Sequence, residues 1–90
     1  METIWKYEIY PQVFTEIAVN EHAEILSVKV QKERVFVWIR VDDLEPQTFR
    51  KRILCVGTGH PISRSAERLR FIDTVLMNDD TMVFHFFEVI

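Results

Sequence analysis

Glu24-Ile25-Leu26-Ser27-Val28-Lys29-Val30-Gln31-Lys32-Glu33-Arg34-Val35-Phe36-Val37-Trp38-Ile39-Arg40-Val41-Asp42 is the stretch that sets the fold class. Two β-branched runs alternate apolar and polar residues on either side of the polar pair Lys32-Glu33, the pattern of a half-buried hairpin. With Lys32-Glu33 as a two-residue loop, Gln31 faces Arg34, and one face pairs Val30 with Val35, Val28 with Val37 and Leu26 with Ile39. That face is wholly apolar and is assigned to the core. The other face sets Lys29, Ser27 and Ile25 against Phe36, Trp38 and Arg40, an aromatic and cationic surface open to a second sheet, a second subunit or a ligand. Lys-Glu suits a type I′ turn poorly, because both positions need positive φ. That leaves room for a longer or bulged loop.

The pattern recurs at the C-terminal end, where Leu69 to Met77 and Met82 to Val89 alternate around the turn formers Asn78-Asp79-Asp80-Thr81. With Asp79-Asp80 as the loop, Leu76 meets Val83, Thr74 meets His85 and Ile72 meets Phe87, a polar pair within an apolar face. Upstream, Ile4 to Tyr10 and Val13 to Val19 read as strands separated by Pro11, and Thr48 to Val56 as another, broken by a glycine loop. Ser63 to Leu69 is the one segment suited to a helical turn, with Ser63 or Ser65 as its cap. The expectation is an all-β or mostly β fold: one domain over residues 1–90, with six or seven short antiparallel strands and at most one short helix.

Ninety residues bury only about two thirds of their unfolded surface, so the stability margin is modest and a homo-oligomer is expected. The net charge of −3 gives no whole-molecule attraction to a phosphate backbone, which argues against general nucleic-acid binding. Cys55, the single cysteine, excludes an intrachain disulfide and multi-cysteine zinc patterns, and fits a reducing cytoplasm. No run is long and apolar enough for a membrane span, and no targeting segment is visible at Met1 to Lys6.

Charge is unevenly distributed. Between Arg50 and Arg70 there are six Lys or Arg against one acid, Glu67, whereas the rest of the chain carries five bases and thirteen acids. Within the basic segment stand the only two glycines, in Gly57-Thr58-Gly59-His60-Pro61. A turn with exposed N–H groups in a local positive field suits a small anion. The candidate ligand-binding residues are Gly57, Thr58, Gly59 and His60 for phosphate or ribose, Arg40 and Arg64 for charge, and Trp38 for stacking on a base. The plainer reading is a tight turn in which the glycines supply positive φ. The loop matches neither GxxxxGK[ST] nor GxGxxG. His22, His60 and His85 show no metal-ligand spacing, His85 is most simply a core histidine bonded near Thr74, and no nucleophile signature occurs. No catalytic residue, metal ligand or cofactor is expected.

Four ordered segments, Thr3-Ile4-Trp5-Lys6-Tyr7, Ala23 to Val28 with Trp38 following, Gly57-Thr58-Gly59-His60-Pro61-Ile62 and Val83-Phe84-His85-Phe86-Phe87-Glu88, resemble a family of small phage-encoded β proteins of formerly unknown function. The chain departs from that family at Lys32-Glu33, where Asn-Gly is usual, and in the charges of Arg50, Lys51 and Arg52. The resemblance implies an immune-evasion sponge of the anti-CBASS type. Such a protein acts in the host cytoplasm, where it sequesters a cyclic dinucleotide or related nucleotide signal of bacterial antiphage defence without cleaving it. The alternative is a phage structural or host-takeover protein-interaction module with no small-molecule ligand.

Overall fold

Two-residue alternation becomes seven strands in a computed structural model that describes residues 1–64 and 67–90. They are β1 Glu2–Ile9, β2 Phe14–Val19, β3 Glu24–Gln31, β4 Arg34–Asp42, β5 Phe49–Gly57, β6 Leu69–Met77 and β7 Met82–Val89. All pairings are antiparallel, giving a three-stranded sheet of order β1-β4-β3 and a four-stranded sheet of order β2-β5-β7-β6. No helix forms among the described residues. The helical turn expected over 63–69 includes residues 65 and 66, Ser65 among them, which lie outside the described residues.

The two sheets face each other across the larger of two apolar clusters, to which β4 gives Val35, Val37, Ile39 and Val41, and the other sheet gives Ile17, Val19, Ile53, Cys55, Val75 and Phe86; Leu54, Val56 and Val89 form a smaller second cluster with Phe14, Leu69 and Phe87. Alternation along β4 sends Phe36, Trp38 and Arg40 to the outer face. No second sheet covers them. The stems of Lys6 and Arg34 do, with the Lys6 ammonium 4.4 Å and the Arg34 guanidinium 5.4 Å from the centre of the Phe36 ring.

One local expectation holds and two are corrected. Lys32 and Glu33 form a two-residue loop between Gln31 and Arg34, with φ of 51° and 61°, so the I′-type backbone is adopted despite unsuitable residues. A tertiary contact offsets part of that strain: the Glu33 carboxylate accepts a hydrogen bond from Asn78 N–H at 2.6 Å, joining the tips of the two hairpins. Leu26 does not face Ile39, because a bulge leaves it unpaired and 44% exposed while Ile25 takes its place. Ile72 likewise is bulged out, so that Phe71 faces Phe87 and Asp73 faces Phe86.

The second bulge aims Asp73 at the neighbouring sheet. Its carboxylate accepts Val28 N–H at 3.2 Å and pairs with Lys29 at 3.3 Å, closing the β3–β6 side of the sandwich with a side chain in place of a ladder. Asn20, buried where the chain passes from β2 towards β3, accepts Asp42 N–H at 2.8 Å and so pins the end of β4. At the same end of the core Glu88 is buried between Lys51 and Arg70.

Candidate functional site

The turn after β5 is built by two glycines with different jobs. Gly59 has φ of +84°, the left-handed value that glycine adopts freely. Gly57 does not, contrary to the reading of both as positive-φ residues. The His60 ring lies against it: a Cβ at Gly57 would stand 2.8 Å from His60 Nδ1, so a side chain there would displace the ring. His60 N–H donates to Gly57 C=O at 3.0 Å, closing the turn.

Thr58 ties this turn to the adjoining strand. Its N–H donates to Val83 C=O at 3.3 Å, and its Oγ1 lies 2.7 Å from His85 Nε2. His85 Nδ1 is 2.9 Å from Thr74 Oγ1, the partner expected from the hairpin register. A neutral imidazole has one donor and one acceptor nitrogen, so the two threonine hydroxyls take opposite roles. Both ring nitrogens are thereby occupied.

Two shallow grooves flank the turn. One, about 230 Å³, is lined by Val56, Gly57, Thr58, Gly59, His60, Ile62, His85 and Phe87. The other, about 250 Å³, shares Gly57, Thr58 and His60 and is walled by Thr81 through Phe84. Neither lining holds a carboxylate or thiol. Among the described residues no three His, Cys, Asp or Glu side chains are grouped to hold a metal ion.

Of the seven residues expected at one site, Gly57, Thr58, Gly59 and His60 come together. Arg64 does not join the grooves: its guanidinium stacks 4.0 Å from the centre of the Phe14 ring and pairs with Glu67 at 2.8 Å. Trp38 and Arg40 lie on the outer face of the other sheet, with the core between them and the turn. There Trp38 lines a groove of about 450 Å³ with Ile4, Leu26, Ser27, Lys29, Val30 and Gln31. Arg40 pairs with Glu2 at 2.9 Å beside a separate depression.

The basic segment does not converge on the turn either. Lys51 and Arg70 neutralise Glu88, and Arg52 and Arg64 approach Glu67 at 3.7 and 2.8 Å. Four of its six cations are therefore engaged by two carboxylates. Sequence reasoning missed Ile62, Phe87 and the bond from Thr58 to His85. The alternation of β7 placed His85 and Phe87 on one face, but only the pairing of β5 with β7 carries that face to the glycine turn.

The fold and these grooves define a small antiparallel β-sandwich with its candidate site at a strand-end turn. The chain belongs to the family described as a domain of unknown function, DUF7352, whose model matches residues 1–90. Searches of curated proteins and of solved structures find no match to it. No helix among the described residues is long and apolar enough to cross a membrane.

Proposed function

We propose that the chain binds and holds, without cleaving it, a nucleotide signal of the cyclic mono- or dinucleotide class, as a phage protein that lowers a second messenger of bacterial antiphage defence would. The observation that carries this reading is the meeting of the His60 ring, the Gly59 amide and the apolar walls Ile62 and Phe87 at one turn with a groove on each side. Donors beside flat apolar surface suit a phosphate or ribose with its base. Each groove is smaller than the roughly 300 Å³ at which pockets begin to enclose a drug-sized ligand, so a ligand held by one copy stays half open. A second copy would close it. Trp38 and Arg40 can contribute only from such a copy.

Calorimetry against a panel of cyclic nucleotides, followed by recovery of the ligand after denaturation, tests the proposal. Intact ligand is expected, with His60→Ala weakening binding about tenfold, the loss of one hydrogen-bonding group. Trp38→Ala reports whether another copy's aromatic face takes part. Converted ligand would overturn sequestration. Absence of binding across the panel would favour the second reading, a protein-interaction module. That reading draws on the exposed side chains of Phe71 and Leu76 on the same sheet face and on the internal pairing of the cations.

A further inference from the structure

The sandwich has four edge strands, and they are treated differently. β3 and β6 seal one another through Asp73 and carry a bulge each, which removes them as templates. Among the described residues β2 and β1 are left with a free side. On β2 the hydrogen bond from Cys55 N–H to Val13 C=O fixes which residues face β5 and leaves Phe14, Glu16 and Ala18 directed outward. The central residue of that short edge is an acid. Symmetric pairing of β2 would set Glu16 against Glu16.

β1 is the opposite case. Asp43 N–H donates to Met1 C=O, so the odd-numbered residues of β1 bond β4, and the N–H and C=O groups of Glu2, Ile4, Lys6 and Glu8 point along the free edge. The strand is eight residues long with no proline and no bulge. At its middle, Ile4 on the outer face and Trp5 on the inner face are 56% and 37% exposed. A long flat edge flanked by apolar side chains is what natural sheets avoid unless it is paired.

We infer that β1 is an interface for a second copy of this chain, pairing antiparallel about a two-fold axis at Ile4. In that register Ile4 faces Ile4 of the second copy, and each Glu2 faces a Lys6. The next alternative, centred on Trp5, sets Glu2 against Glu8, and centring on Lys6 sets lysine against lysine; charge complementarity selects the first. It provides roughly six ladder hydrogen bonds, two for each of the three bonded pairs, and joins two three-stranded sheets into one. The inference is independent of the ligand reading, since β1 supplies none of the glycine-turn grooves.

Sedimentation equilibrium across a concentration series tests it, with single-cysteine cross-linking fixing the register. The wild-type chain should associate to twice its monomer mass. Ile4→Lys, which places two ammonium groups at the axis, should weaken association at least about tenfold while the circular dichroism spectrum stays unchanged. Val13→Lys, beside the other sheet and 61% exposed in the wild type, should have no effect. Under mild oxidation Ile4→Cys should give a covalent dimer and Trp5→Cys should not, with the native Cys55 buried and silent. A wild-type chain monomeric at every concentration, an Ile4→Lys variant that still dimerises, or cross-linking at position 5 in place of 4 would each overturn the proposal.

Discussion

Replacing Glu88 by glutamine tests how the core tolerates charge. The carboxylate is 6% exposed, and it holds Lys51 Nζ, itself 14% exposed, at 2.8 Å, together with Arg70, which at 58% exposure keeps most of its hydration. Burial alone pushes the Glu88 carboxyl up, but its hydrogen bonds to Lys51 and Arg70 outweigh that effect and hold it below the ordinary glutamate value. Glu88→Gln leaves the Lys51 ammonium buried without a counter-charge. Removing one partner of a buried pair costs about 3 kcal/mol, so the midpoint of thermal unfolding should fall by roughly 12–24 °C for a domain of this size. Lys51→Met should cost less, about 1–2 kcal/mol, because Arg70 still neutralises the carboxylate. The double variant Glu88→Leu/Lys51→Met removes both charges and should fall within about 1 kcal/mol of the wild type.

The pH dependence has a definite sign. A depressed folded-state value means the unfolded chain binds the proton first, so the contribution is complete above the unfolded glutamate range and is lost as pH falls through the lowered folded value. Urea titrations of the wild type and Glu88→Gln at neutral pH and in the acid range should therefore show their difference shrinking on acidification. A Glu88→Gln variant as stable as the wild type at neutral pH, or a double variant no better than the single, would refute this account of the cluster.

Three further outcomes follow from single contacts. Asn20→Ala removes the acceptor of Asp42 N–H and should cost about 1–3 kcal/mol by urea denaturation, the penalty for a buried donor left unpaired. Lys32→Asn relieves positive φ while keeping Glu33 on Asn78. It should stabilise by about 0.5–1 kcal/mol in the same assay, whereas Glu33→Gly should gain less because the tip-to-tip bond is lost. The Cys55 thiol, buried and pushed up to about 11 by desolvation, should react with a thiol reagent only in denaturant, as a spectroscopic assay with and without urea will report.

The alternation that revealed the hairpins could not reveal their bulges. Ile25-Leu26 and Phe71-Ile72 are consecutive apolar pairs, and either member can face the core without disturbing the composition of the strand. Which one does is settled at the seam, where turning Asp73 inward satisfies Val28 N–H. The two-residue Lys32-Glu33 loop and its register were legible, but local preference, which favoured a longer or bulged loop, said nothing of a carboxylate bonding a turn 45 residues away. Glu88 carried a readable signal: it shares a strand face with Phe84 and Phe86. At the candidate site, the glycine turn and its own histidine were legible, because they are neighbours in sequence. The separation of Trp38 and Arg40 from that turn was not, because it depends on which strands share a sheet.

The polar seam between the hairpins carries a constraint on chain length. Val28 to Asp73 and Glu33 to Asn78 span the same 45 residues, so β3 and β6 run side by side with matched spacing between two fixed points. The pair works like a vernier scale. Deleting one residue between positions 28 and 33 would align one mark and misalign the other, unless a residue were also lost between 73 and 78. Sequence variants of this fold should therefore change length in these two segments together or not at all.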